Sequence, residues 1–125
     1  MSLILDSPQS YKDADNTRKK AICNGVGAEF FPKWLVKALN SKLFCYGVSL
    51  RECANIHDWM YFFGLTAEDK IKADKTFGDN MLRTIKYHSW LWKINPLYYL
   101  RRKRTLECYL AVKFGGHKAF WSNKK

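Results

Sequence analysis

The sequence predicts a small all-α domain, and three observations lead to that class. Apolar residues recur at intervals of three and four through most of the chain, which is the spacing of one helix face. Signals that start a helix are followed, at helical lengths, by glycines that stop one. No stretch alternates convincingly between apolar and polar residues as a half-buried strand does. We therefore expect three or four helices packed around one core.

Length and composition indicate a single domain. The chain has 125 residues, of which 47% are hydrophobic, so it can bury a core and is not expected to be disordered. Residues 1–20 are polar, and we expect them to form a poorly ordered arm or a short helix. Residues 21–125 are expected to form the domain.

The first predicted helix covers residues 31–44. Pro32 lies near its first turn, where the missing N–H has no cost, and Gly47 closes it. Its apolar positions follow helical spacing and are expected to face the core. They are Trp34, Leu35, Ala38, Leu39 and Leu43.

The next two predicted helices cover residues 49–63 and 66–87. Ser49 and Glu52 have the spacing of a capping box that opens the first, and Gly64 stops it. The sequence TAED at 66–69 is a second, weaker box that opens the other helix. That helix carries Phe77, Met81 and Ile85 along one face.

A last predicted helix begins at Asn95, with Pro96 in its first position. Asparagine is a favoured cap and proline is tolerated there, while Gly115 and Gly116 end the helix.

Four cysteines do not form the pattern of a zinc site or of a disulfide scaffold. They are Cys23, Cys45, Cys53 and Cys108, and no two of them form a CxxC pair. We expect mostly reduced, buried thiols, although a disulfide of Cys23 with Cys45 or Cys53 stays open. No apolar stretch reaches the roughly 20 residues of a membrane span, and no secretory signal is recognisable. A cytoplasmic protein is expected, or one exported without a recognisable signal peptide.

A histidine and a carboxylate are expected to meet between the two central helices. Only Gly64, Leu65 and the cap residue Thr66 connect these helices, so they should run antiparallel, with positions that sum to about 130 side by side. His57 then faces position 73, one residue from Asp74. Tyr61 lies one turn after His57 on the same face. Such a pair can act as a general base with a group that orients it.

Asp58 is expected to point elsewhere, because consecutive helical residues are rotated by about 100°. A carboxylate on the flank of a helix, beside a glycine-rich loop, is a reasonable site for a hard cation such as Ca²⁺. The loop is the segment AICNGVGAEFFP at 21–32, in which Gly25 and Gly27 allow backbone carbonyls to turn inward. Taken alone, the two glycines are more typical of a simple turn between helices.

These segments resemble the phospholipase A2 family, in its small bacterial and phage forms. HDWMY at 57–61 resembles the His-Asp-x-x-Tyr signature, CNGVG at 23–27 resembles the calcium loop, and ADKTF at 73–77 resembles the segment that supplies the second aspartate. The order of the three motifs matches over residues 22–85. The secreted forms carry more cysteines, and Asn24 and Val26 depart from the loop pattern.

The resemblance implies Ca²⁺-dependent hydrolysis of the sn-2 ester of glycerophospholipids. His57 would be the general base, with Asp74 and Tyr61 orienting it. Asp58 and the backbone carbonyls of Cys23, Gly25 and Gly27 would bind Ca²⁺, and the N–H of Gly25 would stabilise the oxyanion.

The net charge of +11 admits other partners. It favours an anionic phospholipid surface, a nucleic acid or an acidic protein. The run RRKR at 101–104 fits a solvated helix face, a nucleic-acid patch or a contact with an anionic bilayer. Trp90, Trp92 and Trp121 are expected either at a membrane interface or in the core. Two alternatives therefore stand beside the hydrolase: a catalytically inactive lipid-binding module of the same fold, and a basic helical protein that binds nucleic acid.

Overall fold

The computed structural model describes residues 3–23, 30–122 and 124. Across these residues the chain is all-α, as predicted, and has no strand. Three long helices form the body of the domain, and four short helices pack around it. In chain order they are α1 Gln9–Asp13, α2 Asn16–Ile22, α3 Lys33–Leu39, α4 Arg51–Phe63, α5 Ala67–His88, α6 Pro96–Gly115 and α7 His117–Trp121.

Helix α5 lies at the centre, between α4 and α6. It contacts both neighbours extensively along its length. The predicted apolar face of Phe77, Met81 and Ile85 is fully buried in the main core, which confirms the pattern. Asn95 caps α6 as predicted, because its side chain accepts a hydrogen bond from Leu97 N.

The turn between α4 and α5 fixes the register of the two helices. The weaker predicted capping box forms completely: Thr66 Oγ1 accepts from Asp69 N at 3.1 Å, and Asp69 Oδ2 accepts from Thr66 N at 3.1 Å. Asp69 also accepts from Leu65 N at 2.8 Å. One carboxylate thus holds both residues of the turn, so that α5 returns along α4 immediately.

The box predicted at Ser49 and Glu52 was wrong. Helix α4 begins at Arg51, and the residue before it is Leu50, which has no capping side chain. Leu50 is buried in the core. Because of this packing, Leu50 occupies the N-cap position in place of Ser49, and the helix starts one residue later than a serine cap would allow. Ser49 Oγ accepts from Arg51 N instead, and the Glu52 carboxylate accepts from Asn55.

Helix α3 is shorter than predicted and ends at Leu39. Asn40 donates its side-chain amide to Val36 O at 2.9 Å, which competes with continuation of the helix. Leu35 and Ala38 are buried as expected, but Trp34 and Leu43 are exposed, so the predicted inner face was wrong at those two positions.

The N-terminal segment folds onto α4. Tyr11 in α1 is buried and meets the ring of Trp59 edge-on at 5.4 Å between ring centroids. Asp15 caps α2 by accepting from Arg18 N at 2.8 Å. Residues 1–20 were expected to form either a poorly ordered arm or a short helix. The described part of this segment is helical.

All four cysteines are free, and three of them are buried in the core. None of the described helices is both long enough and apolar enough to cross a bilayer.

Candidate active site

His57 and Asp74 meet between α4 and α5, where the antiparallel register was expected to place them. His57 Nε2 lies 2.8 Å from Asp74 Oδ1, and both side chains are buried. Phe77 covers the imidazole from the α5 side, with 4.7 Å between ring centroids. The pair is therefore held by hydrogen bonding and by packing.

Tyr61 completes the expected cluster. Its hydroxyl donates to Asp74 Oδ1 at 2.7 Å, and its ring lies 4.1 Å from the His57 ring, centroid to centroid. Burial, with the nearby Asp74 charge, raises the pKa of the Tyr61 hydroxyl above its ordinary value. Tyr61 thus remains a hydrogen-bond donor at all physiological pH values.

The protonation states of the pair follow from burial and from its partners. Burial lowers the pKa of His57 although the Asp74 carboxylate opposes this, so the imidazole is neutral at neutral pH. Burial raises the pKa of Asp74, but His57, Lys70 and Tyr61 together hold it below its ordinary value. A neutral histidine beside an ionised carboxylate carries its proton on Nε2. The lone pair of Nδ1 is then available, and no hydrogen bond to it is found within the described residues.

Lys70 is part of the cluster, and sequence reasoning missed it. Its ammonium lies 2.7 Å from Asp74 Oδ2 and is buried. It also donates to the carbonyls of Val112 and Lys113, each at 3.3 Å, near the C-terminal end of α6. The only signal in the sequence was the four-residue spacing of Lys70 and Asp74, which is common on solvated helix faces.

We expect Lys70→Met to destabilise the domain by about 3 kcal/mol, because it leaves Asp74 buried without its cation. The Lys70 charge also lowers the pKa of His57, so the substitution should raise that pKa. Urea unfolding at pH 8 measures the first effect, and NMR titration of the His57 ring measures the second.

Lys75→Met is the matched control, since Lys75 makes an ion pair with Asp79 at the same spacing on an exposed face. It should change the free energy of unfolding by less than about 0.5 kcal/mol. Equal losses for the two variants would contradict the assignment of Lys70 to a buried pair.

Asp58 lies on the flank of α4, away from the His57–Asp74 contact. It is half-buried, and among the described residues nothing donates a hydrogen bond to its carboxylate. Burial raises its pKa to about 7, with Arg51 opposing. A carboxylate in this condition is suited to a cation, because a positive charge would offset the desolvation of its ionised form.

The expected calcium loop is only partly described. Gly25 and Gly27, predicted as ligands, and the predicted oxyanion N–H of Gly25 lie outside the described residues. Cys23 is described: its thiol donates to Asn55 O at 3.1 Å, one turn before Asp58. Burial and the Asp58 charge raise the pKa of this thiol to about 11. Cys23 thus lies near Asp58, through its thiol.

The other end of the loop segment also attaches beside the candidate site. Phe31 packs against the small cluster that contains Tyr61 and Phe120. The two attachments, at Cys23 and Phe31, therefore lie on either side of Asp58 along α4. Within the described ranges, no group of three or more His, Cys, Asp and Glu side chains could hold a metal ion.

Gly116, after α6, touches the site through Tyr61. A Cβ at this position would lie 2.5 Å from both Tyr61 Oη and Val112 O. We expect Gly116→Ala to lower the free energy of unfolding by about 1–3 kcal/mol through this overlap. Thermal denaturation followed by circular dichroism measures the change.

Gly115 offers a control one residue away, where a Cβ would meet no atom within 4 Å. Gly115→Ala should be neutral or stabilise the helix end by up to about 1 kcal/mol. A loss from Gly115→Ala as large as that from Gly116→Ala would refute the steric explanation.

The described residues thus define an all-α domain with a buried His–Asp–Tyr–Lys cluster and a separate half-buried carboxylate one residue along. No family model, curated protein or solved structure matches this chain. Chemically, the cluster can hold an imidazole as a neutral base and stabilise it once it is protonated.

Proposed function

We propose that the chain is a phospholipase A2-like hydrolase that cleaves the sn-2 ester of glycerophospholipids in a Ca²⁺-dependent reaction. The contact of His57 Nε2 with Asp74 gives this proposal its strongest support. It orients a neutral imidazole and leaves Nδ1 as the proton acceptor.

His57 would act on water. Nδ1 takes a proton from a water molecule while the water oxygen bonds to the ester carbonyl carbon. The resulting tetrahedral species collapses with cleavage of the bond to the glycerol oxygen, which receives the proton from His57. The products are a fatty acid and a lysophospholipid, and the imidazole is neutral again.

Asp74 would stabilise the imidazolium that forms between these two proton transfers. Tyr61 and Lys70 hold its two oxygens on separate sides, at 2.7 Å each, so the carboxylate cannot rotate away from His57. The Lys70 charge also opposes protonation of His57, which keeps the imidazole a neutral acceptor before the reaction.

Asp58 would bind Ca²⁺, together with the backbone carbonyls of Cys23, Gly25 and Gly27. The half-buried carboxylate of Asp58, which has no donor within the described residues, fits a hard cation, and Cys23 lies beside it. When bound, the ion supplies positive charge for the ester oxygen as it becomes an oxyanion.

Release of fatty acid from phospholipid vesicles tests the proposal. We expect release by the purified chain in the presence of Ca²⁺ and none after addition of EGTA. Release that continues in EGTA would exclude the calcium-dependent reaction, and no release under any condition would exclude the hydrolase.

One observation favours the inactive lipid-binding module as a second candidate. Lys70 already neutralises Asp74, which weakens the support that Asp74 gives to an imidazolium. Vesicle binding without fatty-acid release, with Ca²⁺ present, would favour this candidate.

A further inference from the structure

The loop between α5 and α6 presents large apolar side chains to solvent. Trp90 is 82% exposed, Leu91 58% and Ile94 77%. Tyr99 and Leu100, in the first turns of α6, are also exposed and continue the same surface. The Tyr99 hydroxyl joins the two parts by donating to Lys93 O at 2.7 Å. We call these five residues the apolar tip.

The loop backbone is fixed in this arrangement. Asn95 donates its side-chain amide to Trp90 O at 2.9 Å, and Ile94 N donates to Leu91 O at 3.0 Å. Leu91 has a backbone φ of +50°, a conformation that residues other than glycine rarely adopt. The fold therefore accepts backbone strain to hold apolar groups outside the core, which is typical of a functional segment.

The segment of chain that carries the apolar tip is strongly basic. Residues 80–106 contain no Asp or Glu and seven Lys or Arg residues. Arg101 is turned inward and bonded to the carbonyl of Tyr46, and Arg83 pairs with Asp6. Four cations near the tip make no ion pair with any described residue. They are Lys86, Lys93, Arg102 and Lys103.

We propose that the apolar tip inserts into an anionic phospholipid surface. Apolar side chains ringed by lysine and arginine match a bilayer interface, where the chains enter the acyl region and the cations contact lipid phosphates. A single-stranded nucleic acid would also meet the positive charge, but it binds by stacking bases on aromatic rings. Leu91, Ile94 and Leu100 offer no ring, so the composition of the tip favours lipid.

Exposed apolar residues also occur at the opposite end of α5, so exposure alone does not identify a lipid-binding surface. Leu65 is 75% exposed and Ile71 67%. These two lie beside Glu68, Asp69 and Lys72, so the charge there is mixed, and the two carboxylates oppose approach to anionic lipid. The two ends of one helix thus provide a test surface and a control surface on the same molecule.

The experiment compares vesicle binding of the full chain and two double variants. Trp90→Ser with Ile94→Ser removes the tip, and Leu65→Ser with Ile71→Ser removes a comparable apolar area at the control end. The vesicles are made of ether-linked phosphatidylglycerol and phosphatidylcholine in EDTA, and sedimentation measures partitioning. Because ether lipids contain no ester and EDTA removes Ca²⁺, the result does not depend on the proposed hydrolysis.

We expect the tip variant to partition at least about tenfold more weakly, from the loss of two large apolar groups, and the control variant to bind as the parent does. Binding should also fall when phosphatidylglycerol is omitted and when NaCl rises from about 0.1 to about 1 M. Equal binding by the tip variant and the parent would overturn the proposal. So would tighter binding of the parent to a uridine oligonucleotide than to the vesicles. Unchanged helical circular dichroism confirms that the exposed substitutions leave the fold intact.

Discussion

His57→Gln is expected to reduce the rate of fatty-acid release by about a hundredfold to ten-thousandfold, the range for loss of a general base. Glutamine can still donate a hydrogen bond to Asp74, but its other atoms offer no basic nitrogen to accept a proton from water. The fold should persist, because the buried carboxylate keeps its bonds to Tyr61 and Lys70. Initial rates on vesicles with Ca²⁺ present measure the effect.

His88→Gln provides the control, since His88 is exposed at the end of α5, fourteen residues from Asp74 along the chain. Its rate should equal that of the parent. If His57→Gln retained the parent's rate while its helical content was unchanged, His57 would not be the base and the mechanism would fail.

Asp58→Asn is expected to alter both the pH dependence of stability and the response of stability to Ca²⁺. Without the ion, the raised pKa of Asp58, about 7 against an ordinary 3.8, means that the folded state binds a proton that the unfolded state has lost. Stability should therefore fall as pH rises from about 4 to about 7, and level off above. The three-unit difference amounts to on the order of 4 kcal/mol. Asparagine removes this ionisation, so the variant should lack this fall.

With Ca²⁺ present, the parent should gain stability that the Asp58→Asn variant does not. An ion that binds only the folded state stabilises it by about 2.7 kcal/mol at a concentration one hundred times its dissociation constant. Ca²⁺ should thus raise the melting temperature of the parent at pH 8 and leave that of Asp58→Asn unchanged.

Asp13→Asn is the control for this pair of measurements, because Asp13 is exposed in α1. It should follow the parent in both the pH series and the Ca²⁺ series. A Ca²⁺-induced shift of equal size in Asp58→Asn would place the ion elsewhere, even if the chain hydrolyses lipid.

The contact between His57 and Asp74 was predictable because two simple rules fix it. A three-residue turn makes the helices antiparallel, and the helical repeat then decides which positions face each other. The class of fold followed in the same way from apolar spacing and glycine stops. Such rules depend on residues that are close together in the chain, so the sequence alone is enough to predict the contact and the class of fold.

Lys70 was not predictable by those rules. Its spacing to Asp74 equals that of Lys75 to Asp79, yet the first pair is buried and the second is exposed. What separates them is the approach of α6, whose carbonyls at Val112 and Lys113 receive the Lys70 ammonium. That approach is set by packing across more than forty residues of chain.

Long-range packing also explains the two wrong predictions about helix α3 and about the start of α4. Trp34 and Leu43 have the spacing of an inner face, but α3 ends before Leu43, and the body of the domain does not cover either residue. The Ser49 cap failed because Leu50 is taken into the core. In each case a tertiary contact overrode a local preference.

The bonds of Lys70 to α6 couple two parts of the molecule that are far apart in sequence. One ammonium group bonds both to backbone carbonyls near the C-terminus of α6 and to the carboxylate that orients His57. Fraying of that helix end would release Lys70 from those carbonyls, while loss of Asp74 would leave a cation against them. We therefore expect the end of α6 and the histidine to open together, as one cooperative unit.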